Sequence, residues 1–275
     1  MRCMSASLFI SLNTFRFNMR KLTTTWSDAH LRRTYETSPA HLLVVAPTER
    51  ELAGLRANRL AGFGVAELGI GRAAAGNLHE LLKTRRPKVL LSIGFGGALS
   101  GDLSTGDVLV TTEVVSAPEL APLIPVDSEL AGNVMNALIA GGIHATKGST
   151  LTVLSPLMSA KHKHRQGILT GASIVDMETY WIAEEALRAG VPFISVRAVI
   201  DEMLHELPEF IAHVAADGGQ NELRHAIWAM KNPCTVGPLL RLASRSRDAV
   251  GTLREVVDIL VPVLTRYAPT RVSDR

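Results

Sequence analysis

From His41 onward, the sequence alternates between short apolar runs and amphipathic segments, and this alternation limits the possible folds more than any other feature. Runs such as HLLVVA, KVLLSIG and PFISVRAVID are continuous, as in strands that are buried on both faces of a parallel sheet. Helical segments separate most of these runs, but GDVLVTTEVV follows the preceding strand without a helix. We therefore predict an α/β fold of three α/β/α layers with a central mixed, largely parallel sheet.

The same alternation divides the 275 residues into two parts. Residues 1–40 lack a sustained period, which predicts a disordered N-terminal extension. Two other interpretations of this segment stay open: translation that starts at Met19, and a weak signal peptide in SASLFISL, which no clean cleavage site follows. Residues 41–275 contain no low-complexity linker and no repeat, so we predict a single domain with a helical C-terminal segment.

The composition argues against several classes of protein. With 47% hydrophobic and 20% charged residues, the chain is typical of a globular protein, and no apolar run reaches the ~20 residues that span a bilayer. A net charge of only +3 predicts no nucleic-acid partner. The two cysteines, Cys3 and Cys234, form no CxxC motif, which disfavours disulfides and structural zinc and favours the cytoplasm.

Two glycine-rich segments could each contact a ligand. GIGRAAAGN follows a strand and has the spacing of a dinucleotide-binding turn, but the next strand ends in LLSIG, without the acidic residue that such sites need. A tight turn is therefore the favoured interpretation of this segment. SIGFGGALSGDLSTGD is predicted to be a loop whose backbone N–H groups cradle a sugar or an anion.

Charged residues that could form a functional site occur in one predicted helix and at the ends of two predicted strands. The histidines of KHKHRQ, His162 and His164, are two residues apart and point to different faces of a helix, so we predict a solvated face and no metal site. By contrast, Asp176 with Glu178 and Asp201 with Glu202 end two apolar strands. Burying a carboxylate without a partner is unfavourable, so these acids indicate a ligand site.

Four segments between residues 41 and 208 form an ordered set of motifs: VVAPTEREL, SIGFGGALSGDLSTGDVLV, TGASIVDMET and GVPFISVRAVIDE. Together they resemble the nucleoside phosphorylase/nucleosidase superfamily, which includes 5′-methylthioadenosine/S-adenosylhomocysteine nucleosidases. The C-terminal segment MKNPCTVGPLLRLASRSRDAVGTLREV, from Met230, is similar to that of the hopanoid-associated phosphorylase branch, which is implicated in removing adenine from adenosylhopane.

The resemblance implies a homo-oligomeric enzyme that cleaves the N-ribosyl bond of an adenine nucleoside without a metal or cofactor. It places Met177 and Glu178 at the ribose, Asp201 at the purine N7 as a general acid, and Glu51, rather than Glu49, where water is activated. Asp176 is predicted to be structural. The remaining substrate-binding positions that the resemblance implies are Phe95, Gly96, Gly97, Val153 and Leu154.

Two departures from the family pattern bear on the reaction. Ile200 stands where the family has a serine before the aspartate. Ser92 and Phe95 stand where purine phosphorylases carry an arginine and a serine that hold phosphate. Losing a guanidinium removes a strong phosphate contact, so water is favoured as the co-substrate. If phosphate is used instead, as in a purine nucleoside phosphorylase, Arg72 is the predicted residue to hold it.

Two alternatives from other classes stay open: an NAD-dependent oxidoreductase, and a nucleoside-binding protein without activity. The basic, apolar C-terminal segment is open to two interpretations as well. It could rest on the inner face of a membrane, giving a peripheral location, or its apolar side chains could be core or dimer contacts. Those side chains are Leu239, Leu240, Leu242, Leu253, Val256 and Val257.

Overall fold

The computed structural model describes residues 41–53, 55, 63–116, 122–215 and 236–267. The predicted extension, residues 1–40, lies outside the described residues, so its disorder stays a prediction. The strands are β1 (Leu42–Ala46), β2 (Phe63–Glu67), β3 (Val89–Ala98), β4 (Val108–Ser116), β5 (Ile124–Pro125), β6 (Ala145–Thr152), β7 (Ile174–Asp176) and β8 (Phe193–Asp201). The helices are α1 (Ala73–Thr84), α2 (Ser128–Ala140), α3 (Ala160–Thr170), α4 (Thr179–Arg188), α5 (Glu209–Ala215) and α6 (Val236–Leu264).

The strands form one mixed sheet, as predicted. β1 lies between β2 and β3 and is parallel to both. β8 lies between β3 and β4, parallel to the first and antiparallel to the second. β4 continues the sheet to β6 in parallel and to the short β5 in antiparallel orientation. The prediction of an α/β fold with a largely parallel central sheet is therefore confirmed.

The sheet also curls into a ring, which the sequence did not predict. β6 pairs in parallel with β7, and β7 returns to the end of β3 through the antiparallel pairs Gly97–Val175 and Ala98–Ile174. The pairings β3–β8–β4–β6–β7–β3 thus close on themselves. Because of this closure, the ends of β3, β7 and β8 meet at one place.

The helices cover the sheet with apolar faces. In α4, Trp181, Ile182 and Ala186 are buried against the strands. In α6, the side chains of Leu253, Val256 and Val257 are buried in the main core, which supports the core interpretation of these residues over a membrane contact. The side chains of Leu239 and Leu240 lie outside the described part. No helix among the described residues is long and apolar enough to cross a membrane.

One predicted element differs from the structure. The segment PTERELAGLRANRL separates two apolar runs, and its sequence predicts a helix with Thr48 as the cap. Its described residues, 47–53 and 55, instead form turns and a short 3₁₀ segment. The turns are closed by i to i+3 bonds, such as Glu51 N–H to the Thr48 carbonyl at 3.2 Å. The Glu51 carboxylate accepts bonds from Thr48 and from the backbone of β3, so tertiary contacts override the local helix propensity.

Candidate active site

A cavity of about 530 Å³ opens where β3, β7 and β8 end. Its size lies within the range typical of small-molecule sites. The cavity brings together most of the residues that the sequence singled out as a site. These lining residues are Glu51, Phe95, Gly96, Gly97, Val153, Met177, Glu178 and Asp201.

Two of the predicted site residues are not part of this lining. The side chain of Leu154 is 51% exposed. The guanidinium of the exposed Arg72 lies over the Trp181 ring, 4.4 Å from its centroid, in a cation–π contact. A different arginine, Arg50, lines the cavity. Arg72 directly precedes the first residue of α1. The group of this turn that contacts the site is the backbone N–H of Gly71, which donates to Glu178.

Glu51 is held in the turn that follows β1. Its Oε1 accepts a bond from the Phe95 N–H at 2.9 Å, and its Oε2 accepts bonds from the N–H and the hydroxyl of Thr48 at 2.9 and 2.6 Å. Burial raises the pKa of Glu51, while these bonds and the charge of Arg197 oppose the rise. A buried carboxylate with a raised pKa is a better base toward water than an exposed one.

Glu178 stands at the start of α4, directly after β7. The Gly71 N–H donates to its Oε1 at 2.8 Å, and Gly71 adopts a positive φ of 67° that places this N–H in the cavity wall. Burial raises the pKa of Glu178 to about 8, and the nearby charges of Asp176 and Glu51 add to the effect. At neutral pH this carboxyl is therefore mostly protonated, so it can donate as well as accept hydrogen bonds. The bond from Gly71 also supports the tight-turn interpretation of GIGRAAAGN.

Asp201 is the last residue of β8 and is only 4% exposed. A register shift in the β3–β8 ladder sets it opposite Gly97, whose missing side chain leaves room for the carboxylate. A Cβ added at Gly97 would lie 2.9 and 3.0 Å from the two Asp201 oxygens. Burial raises the pKa of Asp201, and the ammonium of Lys163, bonded to Oδ2, opposes the rise. The carboxyl is therefore suited to hold and deliver a proton.

A buried ion pair between Arg197 and Asp176 stabilises the segment that carries Glu178. Arg197, in the middle of β8, is fully buried and donates from Nε to Asp176 Oδ2 at 2.8 Å. Its Nη2 donates to the Thr179 hydroxyl at 2.7 Å and to the Ser92 hydroxyl at 3.1 Å. Asp176 also accepts bonds from the backbone N–H groups of Glu178 and Thr179. The pair thus fixes the junction of β7 and α4 that carries Glu178.

Sequence reasoning missed two residues of this centre. Lys163 was assigned to a solvated helix face, yet it is fully buried and lines the cavity, although His162 and His164 are exposed as expected. Nothing in KHKHRQ distinguishes this lysine from its neighbours. For Arg197 a signal existed, because a charged residue in the middle of the apolar run PFISVRAVI needs a buried partner.

Part of the cavity lining, which we call the apolar wall, consists of apolar side chains. Leu242 from α6 and Phe210 and Ile211 from α5 form it, together with Leu157 and Leu207 from the adjoining loops. Three buried carboxyl groups and an apolar wall therefore share one cavity, an arrangement that can orient a polar ring system and move protons beside it. In the described part of the chain, no group of His, Cys, Asp or Glu could hold a metal ion.

Comparison with known proteins agrees with this geometry. The family model described as the Phosphorylase superfamily matches residues 60–228. A 5′-methylthioadenosine/S-adenosylhomocysteine nucleosidase from Staphylococcus carnosus (strain TM300) is 28% identical over 174 residues, which cover 55% of this chain and 75% of that protein.

Solved structures share the fold at low identity. The futalosine hydrolase of Helicobacter pylori strain 26695 has a TM-score of 0.59 and 17% identity, over 80% of this chain and 98% of its own. A 5′-methylthioadenosine/S-adenosylhomocysteine nucleosidase of Helicobacter pylori has a TM-score of 0.58 and 17% identity, over 81% and 99% of the two chains. Because the family model matches more than half of the sequence, the chain belongs to the Phosphorylase superfamily, the enzyme superfamily that its motifs predicted.

Proposed function

We propose that this chain hydrolyses the N-ribosyl bond of an adenine nucleoside and releases adenine. The observation that carries the proposal is the meeting of Glu51, Glu178 and Asp201, all buried, at a single cavity. Cleavage of this bond needs an acid for the departing base, a base for the attacking water and a group that holds the sugar. The cavity offers one carboxyl group for each task.

The proposed roles follow from the family resemblance and from the place of each group in the cavity. Asp201 donates its proton to N7 of the base as the bond between N9 and C1′ breaks and its electron pair moves into the purine. Water then adds to C1′ of the cationic sugar, and Glu51 accepts the proton that the water loses. Glu178 and Met177 hold the ribose hydroxyls. The products are adenine and the free sugar, so atoms and charges balance.

Hydrolysis is proposed over phosphorolysis because the residues that would hold phosphate are engaged elsewhere. Ser92 is fully buried and its hydroxyl accepts from Arg197. Arg72, predicted to serve phosphate, lies over Trp181 and does not line the cavity. Phe95 adds an apolar ring to the wall at a position where phosphate would need a hydrogen-bond donor.

The finer proposal concerns the substituent on the sugar. The apolar wall of Leu157, Leu207, Phe210, Ile211 and Leu242 would suit a large apolar group at the 5′ position. A hopane skeleton, as in adenosylhopane, is such a group, and the resemblance of the C-terminal segment supports this choice. A homo-oligomer and a peripheral membrane contact stay predictions. The burial of Leu253, Val256 and Val257 means that a membrane contact would use other residues.

The proposal is tested by measuring adenine release from adenosine, 5′-methylthioadenosine and an adenosine with a lipid tail, each with and without phosphate. We expect release in phosphate-free buffer, with the highest kcat/KM for the lipid-tailed substrate. Strict dependence on phosphate would overturn hydrolysis and direct attention to Arg50, which lines the cavity. Binding of nucleosides without any release would support the inactive-binder alternative, and binding of NAD would support an oxidoreductase.

A methyl group at position 97 is expected to displace the proposed acid. Gly97→Ala sets a Cβ at 2.9 and 3.0 Å from the Asp201 oxygens, and Asp201 cannot retreat freely because Lys163 holds it. A misplacement of about 1 Å can lower the rate about 100-fold, so we expect a loss of that order in kcat for adenine release. Gly76→Ala is the matched control, since nothing lies within 4 Å of its added Cβ. A Gly97→Ala enzyme with wild-type kcat would contradict the prediction.

A further inference from the structure

A lysine with no solvent exposure lies against the proposed acid. The Lys163 ammonium donates to Asp201 Oδ2, to the carbonyl of Glu202 at 3.1 Å and to the carbonyl of His205 at 2.8 Å. An ammonium has three N–H donors, so protein acceptors satisfy all of them. Lys163 therefore has no free donor for a substrate, and its influence on the reaction must pass through Asp201.

The burial of Lys163 is unusual for its helix. It is the one buried residue of α3, whose neighbouring positions Lys161, His162 and His164 are exposed. Burying an ammonium is strongly unfavourable unless it is paired and fully hydrogen-bonded. The acceptors that satisfy the buried ammonium are the Asp201 carboxyl group and the carbonyls of Glu202 and His205.

The position before Asp201 offers no alternative support. Ile200 stands where the resembled family has a serine, and its aliphatic side chain lines the cavity without a hydrogen-bonding group. Among the described residues, the side chain that bonds to the Asp201 carboxylate is that of Lys163. Because the side-chain bond from Lys163 goes to Oδ2, Oδ1 is the oxygen that remains available to carry the proton.

We propose that Lys163 is the positioning residue of the acid: it holds one oxygen of Asp201 and thereby aims the other at N7 of the substrate base. The inference rests on the proposed function, in which Asp201 is the acid. It assigns to a residue of α3 a bond to the Asp201 carboxyl group that the aliphatic Ile200 cannot make. Lys163 changes the rate of protonation without contacting the substrate.

Other charged groups near Asp201 are bound to one another. His205 and Glu202 follow β8, with His205 Nδ1 3.6 Å from the Glu202 carboxylate. Arg245 of α6 approaches the same His205 nitrogen at 3.4 Å. The charges of His205 and Arg245 oppose the rise in the pKa of Asp201. Among the described residues, the ion pair of Asp201 is with Lys163. Variants of Lys163 therefore isolate the orienting contact.

The test compares two leaving groups. Adenine in 5′-methylthioadenosine needs a proton from Asp201, whereas 4-nitrophenolate in 4-nitrophenyl β-D-ribofuranoside departs without one. We expect Lys163→Met to lower kcat for 5′-methylthioadenosine about 100-fold with little change in KM, and to leave cleavage of the nitrophenyl riboside nearly intact. Asp201→Asn should show the same selectivity, and the double variant should be no slower than Asp201→Asn alone. Lys161→Met, at an exposed lysine of the same helix, is the control.

The outcomes separate this inference from the proposed function. Equal losses on both substrates, additive losses in the double variant, or no loss in Lys163→Met would overturn the role of Lys163 while Asp201 keeps its own. A wild-type enzyme that releases adenine from none of adenosine, 5′-methylthioadenosine and the lipid-tailed adenosine would overturn the proposed function and this inference with it. If Lys163→Met does not fold, Lys163→Gln tests the same selectivity, since an amide leaves no lone apolar group facing the carboxylate.

Discussion

Asp201→Asn is expected to lower kcat for adenine release by about 10²- to 10⁴-fold, the usual contribution of a positioned general acid. Asparagine has nearly the same shape and can keep one contact to Lys163, but it has no proton to give to N7. The expected loss therefore lies in kcat rather than in KM. Adenine release under saturating substrate, followed by chromatography, measures it directly.

The pH profile gives an independent check on the same group. Asp201 must be protonated to act, so the rate of the wild-type enzyme should fall as the pH rises through the pKa of Asp201, which burial raises above its ordinary value. The variant lacks this group and should show no such alkaline decline. Asp248→Asn, at an exposed position of α6, controls for the loss of a negative charge elsewhere. Adenine release by Asp201→Asn within a few-fold of wild type would remove Asp201 from the mechanism.

The second large effect concerns stability. We expect Arg197→Met to lower the free energy of unfolding by about 3–5 kcal/mol, the usual effect of breaking a buried ion pair on one side. The change leaves the Asp176 carboxylate buried without its cation, and it removes the donor to the Thr179 and Ser92 hydroxyls. Urea unfolding followed by circular dichroism at one pH would give the difference.

A surface ion pair supplies the comparison. Arg188 binds Glu184 and Glu185 at the end of α4, but its side chain is 61% exposed. Exposed pairs contribute about 0–1 kcal/mol, so Arg188→Met should change the free energy of unfolding very little. If Arg197→Met and Arg188→Met lower the free energy of unfolding by similar amounts, the buried ion pair does not stabilise the fold more than the exposed one.

The buried strands were predictable from the sequence because a parallel strand that is covered on both faces must be apolar throughout. HLLVVA is apolar from Leu42 onward and forms β1, whereas PFISVRAVID forms β8 and is apolar except for Ser195, Arg197 and the terminal Asp201. The closure of the ring was not predictable, since β7 has only three residues and its register against β3 depends on contacts between distant segments. The turn around Glu51 differs from the predicted helix for a similar reason: its carboxylate bonds to β3, 44 residues away in sequence.

Two acids, Glu178 and Asp201, could be predicted because they lie at or just after the end of an apolar strand, where burying a carboxylate without a partner is unfavourable. Glu51 lies in the turn after β1 and was identified only through the family resemblance. Glu178 and Asp201 line the cavity in keeping with this reasoning. Lys163 could not be found in the same way, because a helix of polar residues does not reveal which one turns inward. Arg72 and Leu154 occupy positions that match the motifs but do not line the cavity, because Arg72 lies over Trp181 and Leu154 is exposed. A motif match alone does not predict where a side chain points.

The ring of strands has a consequence for the order in which the protein acquires its site during synthesis. β8 carries Asp201 and pairs with both β3 and β4. The strands that are synthesised before β8 therefore cannot close the ring without it. A ribosome must therefore release the chain as far as Asp201, about three-quarters of its 275 residues, before the cavity can exist. Contacts between such distant segments form slowly and leave apolar surface exposed meanwhile. A nascent chain that stalls before β8 should be a client of chaperones and hold no nucleoside.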